Sequence, residues 1–145
     1  TRGSWGNAMT SKLFLDTNAL LDIAIPVRPQ HAEAVNMLEV GERGDMDFYA
    51  SVGSLKDAYF IMRRTYVRDE SLCRKIVREM SLDFVMVDLT SEIAERAFAS
   101  DEPDFEDGII RASAEAAGCD AIVSRDAEAF ASCGIPRLEA RDLVV

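Results

Sequence analysis

Histidine is nearly missing from this sequence: His31 stands alone in 145 residues. Cysteine is scarce too, with Cys73, Cys119 and Cys133 far apart and no Cys-x-x-Cys pair. These two shortages exclude a zinc site of the usual ligand sets. Scattered cysteines in odd number also argue for a reducing, cytoplasmic compartment. No apolar run approaches the ~18 residues that span a bilayer, and no secretory leader is visible, so no membrane contact is expected. No glycine-rich loop follows an apolar run, which disfavours a nucleotide-phosphate cradle. Positive charge is in deficit: 16 Lys and Arg face 26 Asp and Glu, for a net charge of −10. That balance opposes simple electrostatic binding of nucleic acid, unless bases cluster locally or a cation neutralises the acids. The single tryptophan, Trp5, falls within residues 1–8. That stretch reads as an expression remnant ahead of a start at Met9 and is left out of the fold reading.

What remains, residues 9–145, suits one domain with its own core. Apolar residues make up 48% and charged residues 29%, an ordinary globular balance. Leu13-Phe14-Leu15 is apolar without alternation, the mark of a strand buried on both faces. A helix is expected from Asn18 to Ile25, stopped by Pro26, and another from Pro29 to Gly41. Met46 to Ala50 reads as a second strand. Ser51 or Ser54 caps a helix with Leu55, Ala58, Tyr59, Met62 and Tyr66 on one face. Ser71 to Met80 is a further helix, with Leu72, Ile76 and Met80 inward. Phe84 to Val87 is a third buried strand. Thr90 or Ser91 caps a helix carrying Ile93, Ala94, Ala97 and Phe98. Pro103-Asp104 opens one ending near Gly118. Ala121 to Val123 is a fourth strand, Ala127 to Ser132 a short helix, and Ile135 to Leu138 a fifth strand. Strands alternating with helices throughout imply an α/β fold: three α/β/α layers around a central parallel sheet of four to five strands.

The acids gain meaning on this map. Asp16 follows the first strand, and Asp126 follows the fourth by two residues. Asp57 lies early in the helix after the second strand. Asp104 and Asp107 start the helix before the fourth strand and share a face at spacing i, i+3. In a parallel sheet the C-terminal strand ends share one edge, where ligands bind. Two carboxylates ~4 Å apart repel by ~4 kcal/mol at an effective dielectric of ~20. Several gathered at one edge call for a counter-charge, and Mg²⁺ or Mn²⁺ is the natural one for oxygen ligands. Such a cation supports phosphodiester hydrolysis without a protein nucleophile. Taken singly, each Asp also reads as a helix cap or a first-turn acid.

Four blocks resemble a known family. They are Leu13-Phe14-Leu15-Asp16-Thr17-Asn18-Ala19-Leu20-Leu21, Ser54 to Tyr59 with Arg63-Arg64, Asp104-Phe105-Glu106-Asp107, and Ile122-Val123-Ser124-Arg125-Asp126 on to Phe130. In this order they resemble the PIN-domain ribonucleases, among them the VapC-type toxins of toxin–antitoxin pairs. The resemblance implies metal-dependent cleavage of single-stranded RNA. It implies Asp16 and Asp107 as ligands of Mg²⁺ or Mn²⁺, with Asp57 standing where many members have Glu. Asp126 matches the last acid, and Asp104 an extra acid of one branch. Asn18 and Ser124 match polar positions that orient carboxylates and water. An antitoxin protein and a homodimer are the partners it implies.

The bases are segregated. Arg63, Arg64, Arg68, Arg74, Lys75 and Arg78 lie close together, whereas the stretch from Glu79 to Asp107 is acidic apart from Arg96. Arg64 stands two helical turns after Asp57, on the same side of the helix, and Arg111 one turn after Asp107. Arg63, Arg64 and Arg111 are therefore candidate RNA contacts, with a solvated helical face as the plain alternative. Tyr59 and Tyr66 read as core, and His31 as a surface residue without a partner. Two rival functions stay open: a phosphotransfer or receiver-type α/β domain, and a non-catalytic interaction module whose acids only cap helices.

Overall fold

The computed structural model describes residues 11–143, so residues 1–8 and Trp5 lie outside it. The chain runs β1 (Ser11–Leu15), α1 (Thr17–Ala24), α2 (His31–Arg43), β2 (Met46–Ser51) and α3 (Val52–Thr65). It continues with α4 (Glu70–Asp83), β3 (Val85–Val87), α5 (Ser91–Phe98), α6 (Phe105–Ala116), β4 (Ala121–Val123) and β5 (Arg137–Leu138). The five strands form one parallel sheet in the order β3-β2-β1-β4-β5. No helix of the described residues is long and apolar enough to cross a membrane.

The central place of β1 explains its unbroken apolar run. Leu13, Phe14 and Leu15 are all buried. Strand side chains alternate between faces, and the two faces feed two cores. Leu13 and Leu15 join Leu20, Met37, Met62 and Cys73 from α1 to α4. Phe14 and Ile122 join Ile110, Ala114 and Phe130 on the other side. Helices thus cover both faces, as a parallel sheet requires. On the second face α5 packs on α6 through Gly108, where a side-chain carbon would stand 3.1 Å from the Ala97 carbonyl oxygen.

The topology also places the site. From β1 the chain moves outward to β2 and β3, then returns to lay β4 and β5 on the opposite flank. The crevice between the C-terminal ends of β1 and β4 is therefore the switch point where open α/β sheets bind ligands.

Several sequence expectations are corrected. Helix α2 does not stop at Gly41 but runs through it to Arg43; the Phe48 ring fills the space a side chain there would need. In α4 the buried positions are Cys73 and Met80, whereas Leu72 is exposed. Strand β3 is an edge strand, so Val85 is exposed. Residues 127–132 form turns rather than a helix. Tyr66 is exposed, and its ring lies 5.8 Å from the Arg28 guanidinium. His31 has a partner: its Nδ1 stands 2.8 Å from the Asp22 carbonyl oxygen.

Candidate active site

Asp16 directly follows β1 and caps α1. Its Oδ1 accepts the Ala19 N–H at 2.8 Å, which satisfies an orphan donor of the first turn. Burial pushes its carboxyl above the ordinary carboxylate range, against the Ala19 and Ser124 hydrogen bonds and the charge of Arg125. Ser124 directly follows β4 and is buried. Its hydroxyl accepts the Asp126 N–H at 3.1 Å while it hydrogen-bonds Asp16. One buried serine thereby ties the two strand-end acids together.

Behind Asp16 lies a buried acid, Asp22. It takes Arg28 Nε at 2.8 Å and also the Arg125 guanidinium. Arg28 extends the network to Tyr66 Oη at 3.0 Å and Asn18 Oδ1 at 3.1 Å. Asn18 is thus turned to Arg28, not to a candidate metal-binding acid. Sequence reasoning missed Asp22, Arg28 and Arg125. The available signal was an acid inside the apolar run Leu20-Leu21-Asp22-Ile23, which a folded core tolerates only when the charge is paired.

The opposite bank is built by the start of α6. Asp104 is its N-cap, and Oδ1 accepts the Asp107 N–H at 2.8 Å. Asp107 sits one turn inside, and its Oδ2 is buried with no hydrogen-bond partner. Burial, then the charges of Asp104 and Asp126, push the Asp107 carboxyl up to about 7, with Glu102 adding to the effect. Asp126 itself is exposed, and its Oδ1 accepts the Glu128 N–H at 3.0 Å. Asp57, in the second turn of α3, is half-exposed and pairs with Lys56 at 3.1 Å. It faces Glu106 across a groove that also includes Phe105 and Leu89. Glu106 is a further acid that sequence reasoning passed over; burial, then Asp57 and Asp104, raise its carboxyl.

Asp107 therefore lies in the field of Asp104 and Asp126, Asp57 faces Glu106, and Asp16 is joined to the Asp126 backbone through Ser124. Among the described residues no three His, Cys, Asp or Glu side chains stand close enough to hold a metal ion as they are placed. The donor chemistry nevertheless suits a hard cation. All candidates are carboxylates, and the caps at Asp16, Asp104 and Asp126 each engage the backbone through one oxygen. Capping and ligation are compatible for such side chains.

The basic candidates divide. Arg63 closes the end of α3 on the Val67 and Arg68 carbonyls. Arg64 is exposed, with its guanidinium 5.4 Å from the Phe60 ring. Arg111 is engaged by Asp101, Glu102, Glu115 and Ser132. Its side chain is only 21% exposed, and protein oxygens take its Nε and Nη1.

The comparisons with known proteins fit this architecture. A PIN-domain family model matches residues 12–128, most of the chain. The chain belongs to the PIN-domain family. Membership sets aside the receiver-type reading. Among curated proteins no sequence matches this PIN-domain chain. Solved structures do. The sarcin–ricin-loop-cleaving toxin VapC20 of Mycobacterium tuberculosis is 15% identical with a TM-score of 0.67, over 85% of this chain and 95% of its own. A toxin–antitoxin complex from Klebsiella pneumoniae contains a chain that is 24% identical, with a TM-score of 0.63 and coverage of 90% and 98%. VapBC2 of Rickettsia felis, solved on a promoter DNA fragment, gives 11% identity, a TM-score of 0.64 and coverage of 88% and 98%. These likenesses establish the shared fold.

Proposed function

We propose that this PIN-domain chain is a Mg²⁺- or Mn²⁺-dependent endoribonuclease that cleaves single-stranded RNA. In this reading it is the toxin of a toxin–antitoxin pair, acts in the cytoplasm as a homodimer, and is held inactive by an antitoxin protein. The whole of residues 9–145 forms the one catalytic domain. The observation that carries the reading is the buried, unpartnered Oδ2 of Asp107 at the switch-point edge of a PIN fold. Buried polar atoms are almost always paired, and a carboxylate oxygen facing other acids suits a cation. The structural neighbours named as toxins and toxin–antitoxin complexes support the biological role.

Asp16, Asp107, Asp57 and Asp126 would hold the cation, with Asp104 contributing beside its cap. The cation would acidify a water and neutralise phosphate oxygens during an in-line displacement. The chain's own residues supply the rest. Ser124 orients Asp16 and Asp126 together. Below about pH 7 Asp107 holds a proton, and only above it does the carboxylate offer both oxygens. Arg64 and its neighbour Phe60, both exposed on α3, give the RNA a charged and stackable flank, and Arg63 braces that flank.

The test is cleavage of total RNA with Mn²⁺ by the wild type, Asp16→Ala and Asp107→Ala. Loss of cleavage in both variants is expected. Equal activity in all three would overturn the assignment, and it would leave the acids as helix caps of an interaction module.

A further inference from the structure

Two strips of backbone carry the acids on the α6 bank. One is the loop before α6, leading through Asp104 to Asp107. The other is the turn segment after β4, which carries Asp126. Between them lies a cluster the proposed chemistry does not use. The Glu102 side chain is 1% exposed. Its Oε1 accepts the Phe130 N–H at 2.6 Å, and its Oε2 accepts from Arg111 Nη1 at 3.0 Å. The same Arg111 nitrogen reaches Asp101 Oδ1 at 2.9 Å and Ser132 Oγ at 3.3 Å. The Ser132 hydroxyl lies 2.8 Å from Asp101 Oδ1.

The positions of these residues matter. Glu102 precedes Asp104 by two residues, Arg111 follows Asp107 by about one turn, and Phe130 follows Asp126 by four. Each end of the cluster thus adjoins an acid. Phe130 holds a φ of 67°, a left-handed conformation that a bulky residue keeps only when its surroundings enforce it. Its ring is buried in the core, and its N–H bonds the buried Glu102 side chain. A buried ion pair is a poor source of net stability, and its best-attested use is to fix registry. Here the registry is that of one acid-bearing strip against the other.

We propose that the Arg111–Glu102 pair is a strut that sets the turn segment carrying Asp126 against the start of α6, so that both are positioning residues for divalent-cation binding. The proposal rests on the reading of the acidic edge as a cation site. A strut that serves stability alone would lower the melting temperature and leave cation affinity unchanged.

The experiment titrates Mn²⁺ alone into the metal-free full chain by calorimetry, alongside thermal melts. Arg111→Ala is expected to weaken Mn²⁺ binding about tenfold or more, within the range for residues that orient ligands. Arg111→Lys keeps the charge but loses the fork, and Glu102→Gln keeps an acceptor for Phe130 N–H; each is expected to cost about three- to tenfold. Arg74→Ala removes an exposed pair with Glu70 within α4 and touches neither strip, so its affinity should match the wild type. Saturating Mn²⁺ should also restore much of the cleavage rate of Arg111→Lys. Should Arg111→Ala not fold, Arg111→Lys and Glu102→Gln decide the matter. Wild-type affinity in the folded variants overturns the strut. A wild type that takes up no Mn²⁺ overturns the cation reading itself, a different failure.

Discussion

The two banks of the switch point treat buried acid in opposite ways. On the β1 bank every buried carboxylate has its compensation. Asp22 holds two arginines, and Asp16 has a helix N–H, a serine and the nearby charge of Arg125. On the α6 bank, Asp107 has acids for neighbours and an oxygen with no partner. A protein interior does not leave a carboxylate in that state without consequence: the group takes up a proton or waits for a cation. The contrast places the uncompensated acid on one side of the crevice.

The sharpest way to break the comparison is Asp107→Asn. Cleavage should fall about 10³-fold, equivalent to ~4 kcal/mol of barrier. The same change should stabilise the metal-free protein. Its folded pKa of about 7 lies above the ordinary ~3.9 of an unfolded aspartate. Between those values the folded state keeps a proton that the unfolded state has released. Stability contributed by this group is therefore full below about pH 4 and falls as pH rises to about 7. Thermal melts in a chelator should show that slope in the wild type and lose it in Asp107→Asn. The variant should melt about 3 °C higher at pH 8, and no higher at pH 4. Added Mn²⁺ should raise the wild-type melting temperature most above pH 7 and leave the variant nearly unmoved.

The compensated bank should behave in the reverse sense. Asp22→Ala strands Arg28, whose side chain is 12% exposed, together with Arg125. Removing one partner of such a pair costs about 3 kcal/mol, a drop of roughly 10 °C in melting temperature for a chain of this size. A variant as stable as the wild type would show that the arginines find water or other acids, and the contrast between banks would fail. Ser124→Ala comes next. It removes the hydroxyl shared by Asp16 and the Asp126 N–H, at about 1 kcal/mol of stability and about tenfold in cleavage.

How much of this was legible in the sequence depends on how local each cause is. The central strands were plain, because burial on both faces leaves an unbroken apolar run at Leu13–Leu15 and Ala121–Val123. The capping acids were plain too, since Asp16 and Asp104 act within three residues of themselves. The errors share a non-local origin. Gly41 reads as a helix stop, yet it sits inside α2 because the Phe48 ring needs its space. Ala127 to Ser132 has helical spacing, yet it forms turns in which the Phe130 N–H bonds Glu102, far back in the chain. Arg111 has the right spacing to face the acids, but the Asp101–Glu102 loop captures it first. Helical phase alone could not reveal that loop's path.

The smallest effect is expected at Asp57, and it tests whether the crevice has two banks or three. Asp57 is reached from the β2 side, its side chain is 41% exposed, and it already pairs with Lys56. Solvent screens such a group, so its pull on a cation is weaker than that of Asp107, whose Oδ2 is buried. Asp57→Ala should lower cleavage by about tenfold, far less than the ~10³-fold loss for Asp107→Asn. Asp57→Glu should stay within about threefold of wild type, because one more methylene only extends a carboxylate that already has room. Steady-state rates at a fixed Mn²⁺ concentration would settle the order. If Asp57→Ala proved as damaging as Asp107→Asn, the unmet charge would not be confined to α6. The acids facing each other across the groove, Asp57 and Glu106, would then belong to the centre of the site rather than its margin.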